Sequence, residues 1–105
     1  KRNEVFVTQG DTHPALYSYE LFCSSPTLLI KKNLKLPLKC KAKIRYRQKD
    51  EDCTLSQNED GQYHVIFKRP QRAISPGQAI TFYQEDLCLA GAQILSSGPS
   101  LKEAI

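Results

Sequence analysis

Residues Leu38–Arg47 alternate with a period of two: Lys39, Lys41, Lys43, Arg45 and Arg47 interleave with Cys40, Ala42, Ile44 and Tyr46. Successive strand side chains point to opposite faces, so this pattern predicts a half-buried β-strand with one cationic and one apolar face. At ~3.3 Å per residue the cationic row extends about 26 Å. The surrounding segment, residues 31–49, holds nine of the 15 Lys and Arg residues and no acid. Like charges in a row repel one another, which suggests an extended anion as partner, most simply a nucleic-acid backbone. A solvated face balanced by acids on neighbouring strands explains the same spacing. Alternation alone does not separate the two readings.

The chain has 105 residues and a formal charge of +4. Such a length corresponds to one domain that buries roughly 60–65% of its unfolded surface. Residues 31–49 carry +9, while the remainder holds six bases against eleven acids. A basic block on an otherwise acidic domain points to a localised anion site. No apolar run approaches the ~18 residues of a membrane span, and the N-terminus lacks a hydrophobic signal core. The expectation is a cytoplasmic protein with no membrane partner. Cys23, Cys40, Cys53 and Cys88 are widely spaced, without a C-x-x-C pair. Their even number permits a secreted disulfide framework, but the apolar content suffices for a core, and Cys40 shares parity with core positions. Buried, reduced thiols are the preferred reading.

Nearly all of the chain reads as strand and turn. Glu4–Thr8, Leu16–Cys23 and Thr27–Lys31 are short strand candidates, followed by the basic strand Leu38–Arg47. Asp50, Glu51 and Asp52 form an acidic turn before a strand that begins over Cys53–Gln57. Asn58–Gly61 suits a hairpin loop, because Asp60-Gly61 accommodates the positive φ such loops need. Gln62–Lys68 is the next strand, with Pro70 as its stop, and Ser75-Pro76-Gly77-Gln78 fits a type II turn. Ala79–Tyr83 and Leu87–Leu95 make a final hairpin around Gln84–Asp86. The 96–100 stretch reads as a loose tail, and only Ser100–Ile105 leans towards helix. The fold class is all-β: a small antiparallel β-barrel of about six strands with a short irregular C-terminal tail. Residues 1–16 read as a lead-in strand, 17–96 as the barrel and 97–105 as the tail.

Catalytic and metal chemistry find little support. Asp11, His13 and Ser18 are near in sequence, but a triad is defined by geometry rather than proximity. His13 precedes Pro14, which pushes it to an extended, turn-like conformation. No recognised metal-ligand spacing, P-loop or G-x-G-x-x-G occurs. The tract from Phe67 to Gln78 is more informative. It carries Lys68, Arg69 and Arg72 with a defined turn, and reads either as a second phosphate contact or as a loop packed on another domain. Tyr46, Tyr63 and Tyr83 are candidates for base stacking, although strand tyrosines more often serve core or rim.

Four segments together resemble a known family: Gly10 to Leu16 (G-D-T-H-P-A-L), Ala42 to Gln48 (A-K-I-R-Y-R-Q) with Cys53 five residues on, Pro70 to Ala79 (P-Q-R-A-I-S-P-G-Q-A), and Phe82-Tyr83 with Cys88-Leu89. In this order they are similar to the C-terminal part of bacterial-type tRNA-specific 2-thiouridylases, which also have mitochondrial relatives. An older family name is tRNA (5-methylaminomethyl-2-thiouridylate)-methyltransferase. The resemblance spans about residues 3–95. It implies a C-terminal β-barrel that follows an ATP-pyrophosphatase domain and a small central domain, whose end would be residues 1 to about 16, with the S-G-G-x-D-S loop and catalytic cysteines in those preceding parts. It therefore implies no catalytic residue, metal or cofactor in this chain, with ATP and Mg belonging to the parent enzyme. The parent would adenylate the wobble uridine's C2 oxygen and replace it with sulfur from a persulfide relay protein. Two departures stand out: Leu89-Ala90-Gly91-Ala92 replaces the usual L-G-G-G, and Gln84-Glu85-Asp86 replaces a Gly-containing turn.

The leading expectation is a tRNA-binding accessory barrel with Lys39, Lys41, Lys43, Arg45, Arg47 and Arg72 as backbone contacts. Gln71, Ser75, Gly77 and Gln78 would form an interdomain or RNA-facing loop. Its partners would be tRNA, the catalytic and central domains of the same enzyme, and the sulfur-relay protein. The alternatives are a structural interdomain barrel without RNA contact, a translation-factor-like β-barrel interaction module, and a secreted two-disulfide domain.

Overall fold

Strand formation follows the two-residue alternation along most of the chain. The computed structural model describes residues 16–31, 33–44 and 49–100. The expected strand over 4–8, the Asp11–His13 turn, Arg45, Tyr46, Arg47 and the 101–105 part of the helical lean lie outside the described residues. The elements are β1 (Tyr17–Cys23), β2 (Thr27–Leu28), β3 (Leu38–Lys43), β4 (Glu51–Gln57), β5 (Tyr63–Arg72), β6 (Ala79–Gln84) and β7 (Leu87–Ser97).

All pairings are antiparallel, in the order β1-β5-β4-β3-β6-β7, and β7 returns to β1 to close a six-stranded barrel. The two-residue β2 adds to β7 from outside that ring. Closure gives the six strands neighbours on both sides, which removes the unpaired edges of an open sheet. The inward alternation supplies the core: Leu21, Ala42, Leu55, Val65, Ile80, Phe82 and Ala90 are all fully buried. Each large apolar side chain there stabilises the fold by roughly 1.5–3 kcal/mol relative to exposure. The small Ala90 leaves room for Phe82, its partner across the β6–β7 ladder.

Local turn chemistry behaves as the sequence predicts. Gly61 has φ +87° in the β4–β5 loop, where its N–H donates to Asn58 O at 2.9 Å. Gly77 has φ +90° at the third position of the 75–78 turn, and Gln78 N–H closes it onto Ser75 O. The β6–β7 turn instead places a non-glycine, Glu85, at φ +52°. Gly91 does not take positive φ, so its alanine neighbours share an ordinary strand backbone.

Several expectations are corrected. The basic strand ends at Lys43 and the chain bends at Ile44, while the expected continuation over Arg45–Arg47 lies outside the described residues. Glu51 and Asp52 belong to β4 and not to a turn, because both pair with β3. Pro70 does not stop β5, which continues to Arg72. It falls in a stretch where β1 and β5 slip register, from Ser18↔Gln71 to Glu20↔Ile66, so its missing N–H costs no ladder bond. Nor is 96–100 loose. Leu21 pairs with Ser97, Gly98 N–H donates to Glu20 O at 2.7 Å, and Ser18 Oγ donates to Pro99 O at 2.7 Å. The tail is irregular after Ser97 but tied to β1 through Ser100.

Candidate nucleic-acid interface

Lys39 and Lys41 are exposed on β3, while Cys40, Ala42 and Ile44 face the core, so the predicted division of faces holds from 39 to 44. Lys43 shares the outer face but is half-buried, with Nζ 5.6 Å from the centroid of the Tyr83 ring. That cation–π contact commits part of Lys43 to the barrel surface. Tyr83 in turn accepts a hydrogen bond from Thr81 Oγ1 at 3.3 Å.

Register then adds a cation that the alternation of β3 does not reveal. Lys39 opposes Thr54 on β4, Thr54 opposes Ile66 on β5, and Lys68 lies two residues farther along β5. Lys39, Lys41 and Lys68 thereby line one open cleft of about 590 Å³ across the β6-β3-β4-β5 face, with Tyr83, Asp52 and Glu85 also in its lining. Among the described residues none of these three lysines forms an ion pair. Lys41 stands opposite Asp52 in the ladder without closing on it.

Arg72 and the 71–78 loop lie elsewhere. Arg72 is exposed at the end of β5, opposite Tyr17. Gln71 is buried, and its Nε2 donates to Arg69 O at 2.9 Å. Gln78 Oε1 accepts from Ser75 N–H at 3.0 Å, while Gly77 N–H and Gln78 O bond to Ile94 of β7. This loop is fixed to the barrel by its own polar groups. Ser75 belongs to a separate hollow of about 270 Å³ beside Tyr17 and Ser100, which shares no lining residue with the lysine cleft. Arg45 and Arg47 lie outside the described residues.

Among the described residues no group of three or more His, Cys, Asp or Glu side chains converges. His64 Nε2 is 2.7 Å from Glu20 Oε1, and its ring stacks on Phe22 with centroids 4.7 Å apart, which anchors β5 to β1. All four cysteines are free thiols. Burial pushes the Cys23 thiol up to about 11. No helix among the described residues is long and apolar enough to cross a membrane.

The sequence profile of the aminomethyltransferase beta-barrel domain family matches residues 18–94, most of the chain and nearly all of the barrel. The chain belongs to that family. It is also similar to curated proteins named tRNA-specific 2-thiouridylase MnmA. The relative from Protochlamydia amoebophila is 46% identical over 100 residues, which is 95% of this chain and 26% of that protein. The relative from Legionella pneumophila strain Lens is 48% identical over 92 residues, or 88% and 26% respectively. That from Vesicomyosocius okutanii is 49% identical over 94 residues, or 90% and 25%. The chain thus spans about a quarter of the length of these relatives and corresponds to their C-terminal barrel region.

Proposed function

We propose that this chain is the C-terminal accessory barrel of a tRNA 2-thiouridylase and that its lysine cleft grips the tRNA backbone. The observation that carries the reading is the convergence of Lys39, Lys41 and Lys68, from two strands, on one open face without ion-pair partners among the described residues. Holding three ammonium groups unneutralised on one surface is unfavourable unless an anion approaches, and a phosphate backbone supplies charge in a row. Flexible lysines are point charges that position a backbone without reading bases. Base selection and chemistry then fall to the rest of the parent enzyme. There ATP and Mg serve adenylation of the wobble uridine's C2 oxygen, and a persulfide from a relay protein supplies the sulfur. The barrel itself needs no cofactor for this role.

The test is the salt dependence of tRNA binding by the full-length protein. Each neutralised phosphate contributes about 0.7 to the log–log slope for single strands and about 0.9 for duplex. Replacing Lys39→Gln together with Lys41→Gln is expected to flatten the slope by ~1.4–1.8. An unchanged slope with unchanged affinity overturns the role.

The 71–78 loop favours a second, compatible contact. Its turn is held rigidly on β7 while Ser75 and Pro76 stay exposed, which suits docking against the catalytic or central domain of the same polypeptide. Ser75→Asp would then lower the full-length protein's stability without changing the salt slope.

A further inference from the structure

Beneath the floor of the cleft, on the core side of the same two strands, lies a pair of thiols that the RNA-gripping role does not use. Cys40 on β3 and Cys53 on β4 are direct partners in the antiparallel ladder, with their sulfurs 3.8 Å apart. Both are nearly buried, at 8% and 5% exposure, and both contribute to the lining of the lysine cleft. Directly opposed residues in such a ladder have Cβ atoms ~4.5–5.5 Å apart, close to the ~3.5–4.5 Å that a disulfide needs. The sulfurs must approach by about 1.8 Å to bond, within reach of side-chain rotation and a small closing of the two strands. The other two cysteines, Cys23 and Cys88, have no such sulfur contact.

We propose that Cys40 and Cys53 form a reversible oxidation site, which a hydroperoxide converts from a dithiol to a cross-strand disulfide. The two sulfurs are not equivalent. A hydrogen bond from Cys53 lowers the Cys40 pKa below the ordinary thiol value against the opposing effect of burial, and the same bond together with burial raises that of Cys53. Cys40 is the attacking sulfur, because the thiolate is the nucleophile. Cys40 loses its proton to solvent, and its thiolate attacks the terminal peroxide oxygen. The S–O bond forms as the O–O bond breaks, and the departing oxyanion takes up a proton. This leaves a sulfenic acid on Cys40. The Cys53 sulfur then attacks the Cys40 sulfur, forming S–S and breaking S–O. The Cys53 proton leaves with the hydroxide as water. Two thiols thus give up two electrons to one O–O bond, yielding the disulfide, one water and one alcohol or second water. A bridge between adjacent strands is strained, and strained disulfides are the readily reduced ones, so a dithiol reductant restores the pair.

This proposal does not depend on the RNA reading. It is tested on the native full-length protein with hydrogen peroxide as the probe, followed by alkylation, trypsin digestion and mass spectrometry. The expected product is the dipeptide Cys40-Lys41 joined to the peptide 50–68, two hydrogens lighter than the sum of its reduced parts and separated by dithiothreitol. Dimedone trapping is expected to label Cys40 in a Cys53→Ser variant, where the serine hydroxyl keeps a donor beside that sulfur. Cys40 and Cys53 both remaining alkylatable under peroxide that oxidises Cys88 would overturn the proposal. So would a linked peptide found only after denaturation. Wild-type mapping decides the matter even where the variant fails to fold.

Discussion

Glu20 on β1 meets His64 on β5 at 2.7 Å, and Arg69 on β5 grips Glu51 on β4 through two hydrogen bonds of 3.1 and 2.8 Å. Lys39, Lys41 and Lys68, on the face built from β3, β4 and β5, close no such pairs among the described residues, even with Asp52 and Glu85 in the same cleft. The first region uses side-chain hydrogen bonds to fasten neighbouring strands. The second leaves charge unspent at the surface. Since a surface pair is worth no more than about 1 kcal/mol, the contrast matters little for stability and much for what each region offers to a partner. Substitutions in the two regions should therefore separate: those on the open side change the salt dependence of anion binding, and those on the fastened side leave it intact.

The largest expected effect tests the fastened side. A Cβ on Gly98 would sit 2.6 Å from Glu20 Cβ and 3.2 Å from Glu20 O. Gly98→Ala must push the tail off β1 and is expected to cost about 1–3 kcal/mol in urea unfolding, with the salt slope of tRNA binding intact. A variant as stable as wild type would break the idea that the tail fastens β1. Next comes the open side. Lys68→Gln is expected to flatten the salt slope by ~0.7–0.9, and Lys43→Gln by less, because Tyr83 already engages Lys43. Equal effects would show that the cation–π contact yields to the phosphate.

Smaller effects sharpen the boundary. Glu20→Gln weakens the contact with His64 and should cost about 0.5 kcal/mol, again without altering binding. Glu85 stands in both regions' logic, since its backbone is held at φ +52° and it belongs to the lining of the lysine cleft. Glu85→Gly should gain about 0.5 kcal/mol after the glycine's greater unfolded-state freedom is counted, and should tighten RNA binding slightly by removing a negative charge. Weaker RNA binding in this variant would mean that the carboxylate helps order the cleft.

What the sequence discloses is local. Alternation marks which side of β3 carries Lys39 and Lys41, and glycine positions mark the turns at Gly61 and Gly77, because each depends on a few adjacent residues. Register is a different kind of information. Lys68 reaches the cleft, and Cys40 meets Cys53, only because β3, β4 and β5 align as they do, and periodicity specifies faces without fixing alignment. The continuation of β5 through Pro70 depends on a slip against β1, which no property of Pro70 itself announces. The 96–100 segment looks unattached because its polar, Gly- and Pro-containing composition suits a tail. Its hydrogen bonds go to Ser18 and Glu20, far away in the chain.

That last pairing has a consequence for synthesis. β1 forms ladders with β5 and with the C-terminal half of β7, so within the barrel an early strand must wait for a late one. Until Ser97 has emerged from the ribosome, the nascent sheet keeps β1 as an exposed edge, open to pairing with other chains. Loop-closure entropy over so long a separation also makes ring closure slow. A chain released before Ser97 would be an open, adhesive sheet rather than a shortened barrel.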